Sequence, residues 1–410
     1  MRILYSAGII LYTAAIYMVS PFKSKARLWI AGRKGWEKNL RARFKGSSRK
    51  LIWFHCASLG EFEQGRPVME LIREKHPGYE ILLTFYSPSG YEIRKNWPVA
   101  DHIFYLPADI PGNAVKFMEI TRPSKVFFVK YEFWYNYLSE ISRRKVPLYL
   151  ISGIFRPQQY FFRWYGGFFR RMLGKFTHIY VQDDSSLDLL NRIGIINSSV
   201  AGDTRFDRVK KIASSAEGIP VVESFCNDEK VVVAGSTWHQ DEEILAEYIN
   251  RYPDNFKWII APHEISISEI ERLESWLKVR SVRYSGEKNL FPDARVLIID
   301  NIGILSSVYR YATAAVIGGG FGKGIHNILE AACWGLPVLF GPNHKRFREA
   351  SQMLEKEAAF CFRDYYEFRN ILDTLMNDNG TCRRASGAAS EYVNSGSGAT
   401  EKVVADTFIA

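Results

Sequence analysis

The residues of this chain best suited to chemistry stand directly after short apolar runs. Ser58-Leu59-Gly60-Glu61 closes the run at 51–58 and puts Glu61 at a helix start. A partly buried carboxylate there can act as a general base; the same residue would also complement a helix dipole. Lys130-Tyr131-Glu132-Phe133-Trp134 closes another run. Opposite charges framed by aromatics are costly to bury unless paired, so Lys130 and Glu132 are either a structural pair or part of a site. Arg205, in Gly202-Asp203-Thr204-Arg205-Phe206-Asp207, precedes a polar stretch. A cation at such a hinge can reach a leaving phosphate or simply face solvent.

The densest pattern is GGGFGKGIHNILEAACWGLPVLFGP at 318–342. A glycine-rich loop leaves a strand and is expected to open a helix at Ile325-His326-Asn327, whose backbone N–H groups would attract a phosphate. Glu330 would then lie one turn in, within reach of a ribose hydroxyl. The loop lacks the ending of a Walker motif, and its spacing is wrong for a dinucleotide fingerprint. Glycines that only admit close packing are the alternative. Two further strand ends belong with it, Ala261-Pro262-His263-Glu264 and Asp300-Asn301-Ile302-Gly303-Ile304-Leu305. They could hold a base and a phosphate.

These loops need a scaffold, and the apolar pattern supplies one. Runs at 51–58, 80–87, 102–109, 125–134, 146–153 and 178–184 alternate with helical stretches, and the series restarts at 230–237, 257–264, 295–300, 313–320 and 336–342. Continuous apolar strands alternating with helices imply parallel sheets covered on both faces. The 410 residues suit two such α/β domains. The expected division is an anchor at 1–22, a first Rossmann-like domain at 23–207, a linker at 208–229, a second at 230–385, and a helical tail at 386–410. Two such domains imply a cleft, with ligands beyond the carboxyl ends of the strands.

Residues 3–22 carry no charged side chain, and Lys23, Lys25, Arg27, Arg33 and Lys34 follow. At roughly 1.5 Å per residue a helix of that length just crosses a bilayer core; it could also lie in the interface. The basic flank is expected to stay cytoplasmic. A net charge of +10 suits anionic lipid or a phosphorylated substrate, and no nucleic-acid-binding signature accompanies it. Cys56, Cys226, Cys333, Cys361 and Cys382 are widely spaced, as reduced thiols are. No Cys/His grouping has metal-ligand spacing.

In their order and spacing, HCASLGE (55–61), TFYSPSG (84–90), YLPADIP (105–111), EFWYN (132–136), AGDTRFD (201–207), AGSTWHQDEE (234–243) and the 318–342 block resemble the 3-deoxy-manno-octulosonate (Kdo) transferase family, whose members add Kdo to the lipid A precursor in Gram-negative bacteria. The resemblance implies a GT-B fold, CMP-Kdo as donor, and a tetraacylated, bisphosphorylated glucosamine disaccharide as acceptor. It places the enzyme on the phospholipid surface of the inner membrane, cytoplasmic side. Glu61 matches the family's proposed general base. Arg205 stands where the family usually has Lys. His263 and Glu264 fall in a loop that more often reads P-R-H-P. Ile302, Gly303 and Ile304 match a loop usually reading M-G-E. Asn327, Ile328, Leu329 and Glu330 match N-P-L-E, with Ile328 replacing Pro. Lys130 departs from the Glu of E-T-E-L-W, which leaves Glu132, or Lys130 itself, to stabilise the transition state.

The mechanism so implied is an inverting transfer with no cofactor and no metal. Glu61 takes the proton of the acceptor hydroxyl, and the leaving phosphate is held at 325–328 and by Arg205. Another GT-B transferase using a UDP-sugar, or a non-catalytic nucleotide-binding scaffold at the membrane, are the competing readings.

Overall fold

The computed structural model describes residues 1–46, 49–286 and 293–408. The chain divides into two compact units: Met1–Asp207 together with the stretch from Ser397 onward, and Arg208–Gly396.

The first unit is built on strands β1 (Leu51–Cys56), β2 (Glu80–Phe85), β3 (His102–Tyr105), β4 (Lys125–Val129), β5 (Leu148–Gly153), β6 (His178–Val181) and β7 (Ser198–Val200). They pair in parallel in the order β3-β2-β1-β4-β5-β6-β7. Every residue of β1 is buried, because the sheet is covered on both faces. Trp53 and Phe128 pack with Phe117 and Tyr137 on one side. Ile52, Phe54 and Phe127 pack with Phe62 and Val68 on the other. Alternate residues thus feed opposite cores.

The second unit repeats the plan with β8 (Val231–Thr237), β9 (Lys257–Pro262), β10 (Ser281–Arg283), β11 (Val296–Ile298), β12 (Ala314–Ile317), β13 (Val338–Phe340) and β14 (Ala359–Cys361). The order is β10-β11-β9-β8-β12-β13-β14, again parallel. The strand order switches direction between β1 and β4 in the first sheet and between β8 and β12 in the second. Ligands of open α/β sheets collect at that point, beyond the carboxyl ends. β7, β10 and β14 are not among the runs read from the sequence; they are three-residue strands, of which only β14 lies in an apolar run, the five residues 358–362.

Residues 208–229 are largely helical, in Thr204–Ser215 and Pro220–Cys226. Phe225 and Cys226 are buried, and Lys257 Nζ donates to Phe225 O at 2.7 Å. The tail is shared. The Asn379–Gly396 helix stays with the second unit, whereas the Ala399–Thr407 helix belongs to the first. There, Asp207 accepts from the N–H groups of Gly398 and Thr400, Lys125 Nζ donates to Thr407 O at 2.9 Å, and Phe408 stacks on His76 at 4.1 Å.

The Arg2–Val19 helix has a mean hydropathy of 1.5 and no buried residue. It still docks along one stripe. Tyr5, Ser6, Ile9, Thr13 and Ile16 are half-buried, at helical spacing, while Ile3, Leu4, Ile10, Leu11 and Met18 are exposed. Tyr5 Oη donates to Asp109 Oδ2 at 2.7 Å and accepts from Tyr135 N at 3.3 Å. Of the basic flank, Arg33 is not at the surface. It is buried against Trp29, with its guanidinium donating to Leu106 O and Tyr86 O, both at 2.8 Å.

Candidate active site

In the first unit, the switch point is framed by the loops after β1 and β4. Ser58 caps the Leu59–Lys75 helix, and Glu61, in its first turn, reaches back to it. Glu61 Oε2 accepts from Ser58 N at 3.1 Å and from Ser58 Oγ. This reciprocal capping box fixes the carboxylate. Its Oε1 takes no hydrogen bond among the described residues. Burial, with the charges of Glu61 and Glu132 nearby, pushes the Cys56 thiol well up, so both carboxylates flank the end of β1.

Past β4 the chain turns sharply. Lys130 adopts a left-handed φ of 66°, a conformation with a real cost for a side chain, and its N–H bonds Ile151 O at 2.9 Å. Its Nζ lies 5.7 Å from the Tyr131 ring centre. Glu132 is turned inward, only 8% exposed. Its Oε2 meets His55 Nε2 at 3.0 Å and Trp134 Nε1 at 2.5 Å, while His55 Nδ1 meets Thr84 Oγ1 at 2.9 Å. His55 bridges the Glu132 carboxylate to Thr84, whose backbone O also lies 3.2 Å from Nδ1. Histidine and tryptophan are thus the partners that hold Glu132. His55 lies within the HCASLGE motif, yet nothing local signals this role, because its partner is 77 residues away.

Arg205 sits in the first turn after Gly202, whose φ is 101°. Its Nε and Nη2 both donate to Asp203 Oδ2, at 2.9 and 2.7 Å. The cation is therefore oriented by a neighbouring carboxylate rather than loose at a hinge.

In the second unit, the expected helix start is corrected. The helix covers only Leu329–Ala332, and 325–328 precede it. Asn327 explains the delay: its Oδ1 accepts from Leu329 N at 3.2 Å and its Nδ2 donates to Glu330 Oε1 at 2.9 Å. Glu330 therefore lies in the first turn, with Oε2 accepting from Ser306 Oγ at 2.6 Å. Ser306 follows the 302–305 loop, so that loop and the Asn327–Glu330 segment form one clamp. Ile328 and Leu329 are buried beneath it. Ile302 is 87% exposed, Gly303 has φ 108°, and Ile304 is half-buried.

The glycines are first of all a packing device. A Cβ on Gly318 would lie 2.3 Å from Ser236 O, and one on Gly320 would lie 2.5 Å from the Gly341 backbone. Gly319 and Gly324 supply positive φ, 89° and 128°. Asp241 ties the loop down by accepting from Gly319 N and Trp238 N, each at 2.9 Å; burial pushes its carboxyl up to about 6.

His263 and Glu264 are exposed after β9. The His263 ring stacks on both Trp238, at 4.6 Å, and His326, at 4.4 Å. Trp238 Nε1 donates to His326 Nε2 at 2.9 Å. Burial and the neighbouring His263 pull His326 down to about 4, so it is neutral near pH 7 with its proton on Nδ1. In the sequence Trp238 and His326 are visible only as members of motifs, and no local pattern signals their stacking. Among the described residues no group of three or more His, Cys, Asp or Glu is arranged to hold a metal.

Residues 34–208 match the family model described as 3-deoxy-D-manno-octulosonic-acid transferase (kdotransferase). The chain is 29% identical to the 3-deoxy-D-manno-octulosonic acid transferase of Aquifex aeolicus (strain VF5), over 75% of this chain and 80% of that protein. It is 28% identical to the transferase of the same name from Rickettsia felis, over 82% of this chain and 73% of that one. Among solved structures, the calicheamicin glycosyltransferase CalG4 is similar in fold, with a TM-score of 0.57 at 13% identity, covering 88% of this chain and 98% of that one. The two seven-stranded parallel sheets have the GT-B fold, and residues 34–208 carry the match to the Kdo transferase family, to whose members named above the chain is similar along three quarters of its length or more.

Proposed function

We propose that this protein transfers Kdo from CMP-Kdo to a tetraacylated glucosamine disaccharide bisphosphate, the lipid A precursor, with inversion at the anomeric carbon. The observation that carries the mechanism is the Glu61 carboxylate. One oxygen is held by Ser58, and Oε1 has no hydrogen bond among the described residues, at the switch point of the first sheet. Oε1 takes the proton of the acceptor's primary hydroxyl. That oxygen bonds the anomeric carbon as the bond from this carbon to the CMP phosphate oxygen breaks, and CMP leaves.

Arg205, oriented by Asp203, offsets charge on the leaving phosphate. Glu132 and Lys130 stabilise the developing positive charge and the acceptor. Glu330 and Asn327 seat the ribose, the Ile302-Gly303-Ile304 loop lies on the cytidine, and His263 and Glu264 border the nucleotide. The scheme uses no metal and no cofactor. Glu61→Gln is expected to lower turnover by about 100-fold or more with CMP binding unchanged; near wild-type turnover would sink the assignment.

The setting is the cytoplasmic face of the inner membrane. Three observations support a membrane surface. The Arg2–Val19 helix presents apolar side chains outward along its undocked face. Trp164 and Tyr165, in the loop before the Gly167–Leu173 helix, are 91% and 56% exposed. Tyr5 packs against Phe168 of that helix at 6.0 Å, so the two apolar features adjoin. Arg163 and Arg171 beside them are exposed and suit anionic headgroups. A helix docked along its length favours lying in the interface over crossing it.

A further inference from the structure

A cavity of about 700 Å³ opens beyond the carboxyl ends of β13 and β14, lined by Lys323, His344, Lys345, Arg346, Cys361 and Arg363 among others. None of the catalytic or nucleotide-binding residues assigned above lines it. Its volume is that of a site for a whole small ligand, and among the described residues no carboxylate lines it. Arg363 pairs with Glu367 at 3.2 Å, outside the lining. Lys323, Lys345 and Arg346 form no ion pair among the described residues. Burial, and then the Lys345 charge, pull His344 down.

The walls are also fixed in place. Asn343 N donates to Gly320 O at 2.8 Å and Asn343 Nδ2 to Gly322 O at 2.9 Å, lacing the loop after β13 to the glycine loop. The Arg346 guanidinium lies 5.4 Å over the Phe347 ring, and the His344 ring packs on Phe340 at 5.3 Å. Among the described residues His344 Nδ1 is buried without a hydrogen-bond partner, although buried polar atoms are ordinarily satisfied. Cations without an ion-pair partner, on braced loops and with an unmet ring nitrogen beside them, form an arrangement that an anion would complete.

We propose that this cavity binds a phosphate-bearing saccharide. A multiply charged phosphate matches three unpaired cations better than a single carboxylate, and guanidinium and ammonium groups are the standard partners of phosphate oxygens. The identity of the saccharide rests on the function proposed above: it is the bisphosphorylated disaccharide of the acceptor. The binding itself does not depend on that reading.

The test uses the full chain in detergent, titrated calorimetrically with the deacylated glucosamine disaccharide bisphosphate, with CMP, and with phosphatidylglycerol vesicles. The variants are Lys323→Ala/Lys345→Ala/Arg346→Ala and, separately, Lys345→Glu. The expected result is at least a tenfold loss of disaccharide affinity in both variants, with CMP affinity and melting temperature unchanged. Equal disaccharide affinity in wild type and variants overturns the proposal. A parallel loss of CMP affinity also overturns it, by making the cavity part of the nucleotide site. Loss confined to vesicle binding assigns the cations to lipid headgroups and overturns the saccharide. If the disaccharide result holds but no Kdo is transferred, the function fails and this site stands. If transfer is normal and disaccharide binding is unchanged in the variants, this site fails and the function stands.

Discussion

Glu132 depends on His55 for more than a hydrogen bond. A carboxylate this buried needs donors, and leaving one unmet costs about 1–3 kcal/mol. His55 Nε2 and Trp134 Nε1 are the donors that meet it. His55→Ala should therefore lower kcat by about tenfold, change KM little, and lower the melting temperature. His55→Gln, whose amide can still donate, should recover part of the loss. Identical kinetics in the two variants would show that His55 does not position Glu132.

His326 gives a pH test at the same scale. Its ring is drawn from the ordinary 6.5 down to about 4. A histidine depressed in the fold contributes stability above its unfolded value, and that contribution is lost as pH falls through the folded one. Protonation would also place a hydrogen on Nε2, where Trp238 now donates. Asp241, raised to about 6, runs the other way: it favours the fold when protonated and loses that contribution as pH rises through 6. Bulk melting mixes the two, so the ring itself must be read. Its NMR titration, assigned with His326→Gln, should have its midpoint below pH 5. A midpoint between 6 and 7 would remove the stacked, neutral ring from the account.

At the scale of elements, the Arg2–Val19 helix and the Trp164–Tyr165 loop act together. Tyr5 fastens the helix beside Phe168, and the aromatic loop extends the same apolar surface. Tryptophan and tyrosine favour the headgroup level of a bilayer. Trp164→Ser/Tyr165→Ser should reduce cosedimentation with phosphatidylglycerol vesicles by roughly tenfold, with transfer to a soluble, deacylated acceptor unaffected. Undiminished sedimentation would leave the helix as the sole membrane contact.

For the molecule as a whole, the central strands are legible in the sequence because each is a continuous apolar run. LIWFHC and VVVAG fill both faces of their sheets, and only doubly covered strands read that way. The edge strands are not, since Ser198–Val200 and Ser281–Arg283 gain order from neighbours rather than from composition. A helix start at 325 fails because Asn327 looks like the interior of a motif, whereas its side chain caps Leu329. The position of Glu61 at the helix start after β1 follows from local order. The partnerships that fix chemistry do not: His55 with Glu132, Trp238 with His326 and Ser306 with Glu330 join residues distant in sequence. A local pattern carries no information about which distant loops meet.

The central claim is the transfer itself. Purified full-length protein in detergent, given CMP-Kdo made in situ and the tetraacyl disaccharide bisphosphate, should add at least one Kdo, read as the corresponding mass gain of the lipid. Folded protein that binds CMP-Kdo yet leaves the lipid mass unchanged would contradict the acceptor, and folded protein that does not bind CMP-Kdo would contradict the donor as well.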